Sequence, residues 1–239
     1  MDLSHLDIFV KVVVFLLAIS VHESAHAWTA GRYGDPTATL LGRVSLNPIR
    51  HIDIFGTIIL PAISIYSGLG AFGWAKPTPV DPRNFKEPVK ADIMTSVAGP
   101  ASNFMLVSFA FFGCAAVLAT VPHAHTLFVH AVNQAQSPTR AVVAASEVSA
   151  LFPLILLFVE MIFINVILGI FNLIPLPPLD GSHVVRHLMP EEMRRIYDTV
   201  GMIGLLAFVL FGSKILWMLI APILGILFNI LYKIPHANG

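Results

Sequence analysis

The chain has 239 residues, of which 56% are hydrophobic and only 12% are charged, and its formal net charge is zero. A soluble domain normally carries about a quarter charged residues, so this composition excludes an ordinary water-soluble protein and favours a chain that lies in a lipid bilayer. Because there is no net positive charge, a nucleic-acid partner is not expected.

Four long apolar segments dominate the sequence, at residues 8–30, 93–121, 151–174 and 199–232. Each is long enough for a bilayer-crossing helix, which needs about 20 apolar residues. The last segment could form one tilted helix or two short helices that separate near Gly212. The sequence therefore predicts an all-α polytopic membrane protein with four to six membrane segments.

The connecting segments differ in character. Residues 37–47 partly alternate between polar and apolar side chains and are rich in β-formers, which predicts a short β-hairpin or edge strand at the membrane surface. Residues 73–90 carry four prolines among polar residues, so an ordered loop or surface segment is expected. Residues 122–150 are polar, and the three histidines that lack metal-ligand spacing are interpreted as loop residues: His123, His125 and His130.

The basic residues predict the orientation of the chain. Lysines and arginines cluster in three connecting segments, 31–53, 73–92 and 181–198, whereas 122–150 has only Arg140. Cytoplasmic loops of membrane proteins carry the excess of basic residues, so the three basic segments are expected in the cytoplasm. If the interrupted apolar segment 54–72 crossed the membrane fully, two basic segments would lie on opposite sides. We therefore expect 54–72 to be re-entrant and buried against protein.

The first apolar span contains the motif His-Glu-x-x-His, formed by His22, Glu23 and His26. Residues four apart on a helix lie on the same face, so both imidazoles can bind one zinc ion. The neighbouring Glu23 can then act on a water molecule as general base. The alternatives are a cluster of hydrogen bonds between helices or a structural metal site. Three ionisable groups within five residues of a membrane helix are rare, which favours the catalytic interpretation.

Asp180 is the best candidate for a third zinc ligand, because catalytic zinc usually has three protein ligands and one open position. It follows three prolines that end the third long span and enforce extended backbone. A simple helix N-cap is the alternative role for this carboxylate. With the predicted orientation, His22 and Asp180 both lie near the cytoplasmic ends of their spans, so they are expected to meet.

Other polar residues within the spans are weaker candidates. Glu160 is expected to be a carboxyl that bonds to a neighbouring helix, with a proton-path acid as the alternative. Asn165 and Asn172 either line a cavity or bond between helices. Lys11 and Asp7, four residues apart on the first helix, are expected to form an ion pair at the membrane interface.

Together, these motifs resemble the site-2 protease family of intramembrane zinc metalloproteases. The resemblance rests on His-Glu-x-x-His in the first span and Asn-x-x-Pro-x-x-x-Leu-Asp-Gly at 172–181, and it covers about 8–190. It implies that His22, His26 and Asp180 bind one Zn²⁺ per chain and that Glu23 activates water. Gly-Pro-Ala-Ser-Asn at 99–103 is similar to a further motif of the family, whose asparagine, Asn103 here, faces the active site and helps to hold substrate or the developing oxyanion. A helix-start signal is the alternative for that motif.

The resemblance implies a single membrane-embedded protease domain over 1–239, a short member of the family without a PDZ-type or CBS-type domain. The expected reaction is hydrolysis of peptide bonds in or near transmembrane segments of single-span membrane proteins. The expected location is the bacterial cell (inner) membrane, with the active site toward the cytoplasm. An unwound substrate could pair with an edge at 37–47 or 70–80.

Two other classes of membrane protein also fit parts of the pattern, and the oligomeric state stays open. A protease of the kind that trims prenylated proteins would use a later glutamate as third ligand, but Glu160 lacks the matching context. A metal-ion transporter, or a metal-binding membrane protein without protease activity, would explain histidines and acids in the spans. Such a protein would not require Glu23 next to the ligands.

Overall fold

The computed structural model describes residues 3–59, 75–136 and 150–235, and this part of the chain contains helices and no β-strand. The α-helices are α1 (Leu3–Arg32), α2 (Thr37–Leu40), α3 (Pro88–Thr120), α4 (Ala124–Gln136), α5 (Phe152–Leu173), α6 (Asp180–Leu188), α7 (Glu191–Phe211) and α8 (Ser213–Tyr232). Two 3₁₀ turns, Pro48–Arg50 and Pro82–Asn84, and a π-helical turn, Ile54–Ile59, lie in the connections.

Four of these helices, α1, α3, α5 and α8, have the length and apolar composition of membrane spans. They correspond to the four apolar segments of the sequence. Of the two alternatives left open for the last segment, the structure has two helices, because α7 ends at Phe211 and α8 begins at Ser213. The polar first turns of α7, which contain Glu191, Glu192, Arg194 and Arg195, distinguish it from the spans.

Helices α1, α3 and α5 pack against one another at the centre of the structure, and α4 and α8 cover α5. The core contains Val14 of α1, Leu118 of α3 and Ile155 of α5, all fully buried. Small residues allow α3 and α5 to approach closely, since a Cβ added at Gly113 would lie 2.8 Å from the ring of Phe158. This central three-helix unit carries most of the polar residues singled out in the sequence.

The strand predicted at 37–47 is wrong. Residues 37–40 form the short helix α2, and the chain turns at Gly42, which has a φ of 68°. The cause is Asp35, whose Oδ1 accepts hydrogen bonds from the backbone N–H and the hydroxyl of Thr37 and so starts a helical turn. Burial would raise the pKa of Asp35, but the hydrogen bonds from Thr37 and Asn84 outweigh burial and lower the pKa below its usual range.

The other connections agree only in part with expectation. Residues 75–87 form an ordered segment without regular structure apart from one 3₁₀ turn, as the prolines predict. The re-entrant prediction for 54–72 stays a prediction, because 60–72 lie outside the described residues.

The loop prediction for the histidines after α3 is wrong for His125 and His130, which lie on α4. The apolar spacing of Leu127, Phe128 and Ala131, all buried against the core, explains that helix.

A buried ionic cluster joins α1 to α5 at the end of the bundle away from His22. Asp7 is 2% exposed and Glu160 is fully buried. The Lys11 ammonium lies 2.7 Å from Oδ2 of Asp7 and 3.6 Å from Oε1 of Glu160. The predicted pair of Lys11 and Asp7 is therefore present, and the neighbouring-helix partner of Glu160 is the same lysine.

Replacing Lys11 by methionine is expected to destabilise the protein by roughly 3 kcal/mol, because two carboxylates in the core lose their counter-charge. The measurement is reversible unfolding in mixed micelles with increasing SDS. Lys90→Met is the matched control, since the exposed pair of Lys90 and Glu87 should contribute about 0.5 kcal/mol or less. Equal stability of the two variants would contradict the structural role of the cluster.

Candidate active site and metal centre

Two helices bring His22, His26 and Asp180 together. The Nε2 atoms of His22 and His26, one turn apart on α1, lie 3.0 Å from each other. Oδ2 of Asp180, the first residue of α6, is 3.2 Å from Nε2 of His22, and its Oδ1 is 3.4 Å from Nε2 of His26. One ligand atom of each residue lies within 4.8 Å of the other two. Two neighbouring histidines and an aspartate more than 150 residues later thus form one cluster.

The position of Asp180 follows from the proline-rich turn before it. α5 ends at Leu173, and Leu179 occupies the N-cap of α6 in extended conformation, so Asp180 does not serve as the cap. Gly181 allows the chain to return close to the end of α5, because an added Cβ would lie 2.9 Å from the carbonyl oxygen of Ile174. The turn therefore places the carboxylate against α1.

A chain of hydrogen bonds determines the tautomer of His22. The Asn165 side-chain amide donates from Nδ2 to the Met161 carbonyl at 2.9 Å, which leaves Oδ1 of Asn165 as acceptor. Nδ2 of Asn103 donates to that oxygen at 2.9 Å. Oδ1 of Asn103 therefore faces Nδ1 of His22, at 2.7 Å, and Nδ1 must carry the proton. The free lone pair of His22 is on Nε2, the atom that faces Asp180.

His26 has the same tautomer for a related reason. Its Nδ1 lies 2.7 Å from the backbone carbonyl of Thr95 on α3, and a carbonyl can only accept. In the neutral imidazoles, both Nε2 atoms therefore present lone pairs to each other and to the carboxylate. Oδ2 of Asp180 is buried and accepts no hydrogen bond from a described residue. Three acceptors in contact favour a cation between them, and a metal ion would satisfy all three at once.

The donor set and its spacing fit zinc. Tetrahedral zinc with bonds of about 2.0–2.1 Å separates its ligand atoms by roughly 3.3 Å. The separations here are 3.0, 3.2 and 3.4 Å. Two imidazoles and one carboxylate leave a fourth position open, as catalytic zinc sites do. Gly99 of α3 preserves this space, because a Cβ there would lie 2.6 Å from Nε2 of His22.

Glu23 lies beside the candidate ligands and is not part of their cluster. Its Oε2 accepts a 2.6 Å hydrogen bond from the hydroxyl of Thr78, in the connection before α3. Glu160, the alternative third ligand of a different protease class, instead pairs with Lys11. Asn172 donates to the Leu168 carbonyl of its own helix at 2.9 Å. Of the two candidate asparagines on α5, Asn165 is therefore the one linked to the metal ligands.

A second histidine–carboxylate cluster holds α6 in place. Asp92 of α3 contacts Nδ1 of His183 at 3.1 Å and Nε2 of His187 at 2.7 Å. The hydrogen bond to Asp92 raises the pKa of His183, since it favours the imidazolium form. Because α6 begins at Asp180, this cluster helps to position the zinc ligand.

Several contributors to the site carried no recognisable signal in the sequence. Thr95 contributes only a backbone carbonyl, which is independent of the residue type. Thr78 lies in a connection without a motif. The distance in sequence from Asn165 to Asn103 is 62 residues, so their bond could not be inferred from local spacing.

Replacing Asn165 by leucine is expected to weaken zinc binding about 10- to 100-fold, the usual effect of losing an outer partner of a zinc-bound histidine. The substitution removes the acceptor of Asn103 and so frees the amide that orients His22. Zinc affinity is measured by competition with a chromogenic chelator. Asn229→Leu, at an exposed position of α8, is the control. Zinc binding of wild-type strength in Asn165→Leu would contradict the role of the hydrogen-bonded chain.

Comparison with known proteins agrees with this chemistry. The model of peptidase family M50 matches residues 10–212. The Bacillus subtilis (strain 168) protein "Putative zinc metalloprotease YwhC" is 36% identical over 213 residues, which cover 86% of this chain and 83% of that protein.

More distant relatives come from mycobacteria. Mycobacterial proteins called "Putative zinc metalloprotease Rip2" are 28% identical in Mycolicibacterium smegmatis and 26% in Mycobacterium tuberculosis (strain H37Rv), over 81% of this chain and 63% of theirs. No solved structure matches the chain. The match over most of the sequence shows that the chain belongs to peptidase family M50, the site-2 protease family, and is an integral membrane zinc metalloprotease.

Proposed function

We propose that this metalloprotease hydrolyses peptide bonds in or near the transmembrane segments of single-span membrane proteins. The observation that carries the proposal is the depth of the site within apolar helices. His22 lies ten residues before the end of α1, about 15 Å along the helix. Its partner Asn103 lies fifteen residues after the start of α3, about 22 Å along that helix. This depth supports a reaction at a peptide bond that enters the bilayer region.

The charge distribution supports a site that opens to the cytoplasm of a bacterial cell, through its cell (inner) membrane. Arg32, Arg43 and Lys76 lie at the end of the bundle nearest the zinc ligands. An excess of basic residues is typical of the cytoplasmic side. The relatives with the family's zinc-protease names come from bacteria. Water would reach Glu23 from this basic end, where that side chain is partly exposed.

The residues of the chain have distinct parts in the reaction. Bound zinc supplies a Lewis acid that polarises the scissile carbonyl and makes water more acidic. His22, His26 and Asp180 would hold the ion, and Asn103 and Thr95 orient the two imidazoles. The Glu23 carboxylate accepts a proton from the attacking water and delivers it to the leaving amine.

A transmembrane helix must unwind before cleavage, because its carbonyl groups are engaged in helical hydrogen bonds. Residues 75–80 have no regular secondary structure and lie next to Glu23, since Thr78 contacts its carboxylate. We propose that this segment receives the unwound substrate in extended form.

The test is cleavage by the detergent-purified protein of a panel of single-span substrates, each compared with a soluble peptide that has the same cleavage-site sequence. Asp180→Asn serves as the inactive control. Cleavage mapped by mass spectrometry to the span or its border, with poor cleavage of the soluble peptide, is expected. Equal cleavage of both forms, at bonds far from the span, would contradict a membrane-segment specificity.

A further inference from the structure

We infer that Thr78 is a positioning residue for the catalytic base: its hydroxyl holds the Glu23 carboxylate in place from a segment that Arg43 anchors. The inference rests on the proposed function, in which Glu23 transfers the proton. Residues 75–80, called the strap below, form a segment without regular secondary structure between the π-helical turn and α3. No motif of the sequence marks this segment as part of the site.

The contact between Thr78 and Glu23 is a short hydrogen bond to a carboxylate. Oγ1 of Thr78 lies 2.6 Å from Oε2 of Glu23 and 3.1 Å from its backbone carbonyl. A hydroxyl has one proton, and the closer, charged oxygen is the stronger acceptor, so Thr78 donates to the carboxylate. Among the described residues, Thr78 alone donates a hydrogen bond to this side chain. The second carboxylate oxygen therefore stays available to a water molecule.

The strap holds Thr78 rigidly. Pro77 and Pro79 flank it and restrict the backbone on both sides. Arg43, which is 5% exposed, donates from Nη2 to the carbonyl of Pro77 at 2.9 Å and also to the carbonyl of Lys76. The N–H of Lys76 donates to the carbonyl of His51 at 2.8 Å. These bonds lie outside the zinc cluster, so the position of the hydroxyl does not depend on the metal ligands.

Arg43 also belongs to the segment that is bound to the catalytic helix. Its Nη1 donates to the carbonyl of Arg50, and the hydroxyl of Ser24, next to Glu23, donates to the carbonyl of Ser45 at 2.6 Å. Burial lowers the pKa of the Arg43 guanidinium, while the negative charge of Glu23 acts in the opposite direction. The strap, the 43–51 segment and α1 thus form one hydrogen-bonded unit around the base.

The consequence is specific to the chemical step. Without the Thr78 hydroxyl, the Glu23 side chain regains rotamer freedom, although its charge and the zinc ligands are unchanged. A displacement of about 1 Å in a catalytic group can cost roughly 100-fold in rate. We therefore expect Thr78→Val, which keeps the shape of the side chain, to lower kcat about 10- to 100-fold. KM and zinc content should stay close to those of the wild type.

The experiment compares wild type, Thr78→Val, Thr78→Ser and Thr120→Val in detergent. Thr120 is the matched control, because it is exposed at the opposite end of α3 and its hydroxyl bonds to its own helix. The assay uses whichever panel substrate the wild type cleaves, membrane-embedded or soluble. A failure of the membrane-segment proposal therefore leaves this test intact. Each variant is measured for kcat, KM, zinc per chain and thermal midpoint.

The expected result is a loss of kcat in Thr78→Val that Thr78→Ser largely restores, with Thr120→Val like the wild type. In a Glu23→Gln background, Thr78→Val should cause no further loss, because a positioning residue acts only through its partner. Unchanged kcat in Thr78→Val would overturn the inference. A fall in zinc content or in the thermal midpoint, or an equal loss in the Glu23→Gln background, would also overturn it by showing a general structural role.

Discussion

Glu23→Gln is expected to lower kcat about 10²- to 10⁴-fold, the usual contribution of a general base, while the protein keeps one zinc ion per chain. The amide has nearly the shape of the carboxylate but cannot accept the proton of the attacking water. Zinc should be retained, because the Glu23 carboxylate bonds to Thr78 and is separate from the cluster of His22, His26 and Asp180. Cleavage kinetics and metal analysis by mass spectrometry measure the two quantities.

The matched control is Glu87→Gln, which changes an exposed carboxylate paired with Lys90. It should have the kcat and the zinc content of the wild type. Loss of zinc in Glu23→Gln would show that Glu23 belongs to the metal site, and wild-type turnover would exclude it as the base. Either result would require a different assignment of the catalytic residues. Altered metal flux with no proteolysis in any variant would favour a transporter.

Gly99→Ala is expected to lower zinc affinity at least about 100-fold, beyond the usual range for a residue outside the ligand set, and to abolish cleavage. The new methyl group would lie 2.6 Å from both Cε1 and Nε2 of His22, well inside contact distance. The ring cannot move away without breaking its bond to Asn103. Elsewhere in a helix the same substitution is neutral or stabilising, because alanine favours the helical conformation.

Gly225→Ala on α8 is the control, since no atom lies within 4 Å of its added Cβ. Both variants are measured by chelator competition and by circular dichroism. The expected result is a helical protein in both cases, with zinc lost only from Gly99→Ala. Retention of one zinc ion per chain in Gly99→Ala would contradict the close approach of α3 to the ligands. That outcome would also weaken the tautomer assignment, which depends on the same packing.

Helix periodicity explains which parts of the site were predictable. His22 and His26 face the same way because they are four residues apart on one helix, and this relation requires no other part of the chain. The prolines before Asp180 end α5 by their own covalent geometry. The separation of α7 from α8 lies at Gly212, between two helices that are consecutive in the sequence, so it also requires no distant part of the chain. The prediction at 37–47 failed for a local reason, because side-chain capping by Asp35 outweighed the β-propensity of the segment. The prediction for His125 and His130 failed for a tertiary reason, because α4 packs on the core.

The amino-acid sequence by itself determined the membrane spans, the paired histidines, the glutamate proposed as the base and the aspartate that joins the histidine cluster. These features depend on side-chain hydrophobicity and on the geometry of single helices. Only the tertiary structure decided the hydrogen bonds that orient these groups, such as His22 with Asn103, 81 residues apart, and Glu23 with Thr78, 55 residues apart. Such bonds require helix packing to bring distant segments within about 3 Å, and no local pattern encodes that approach.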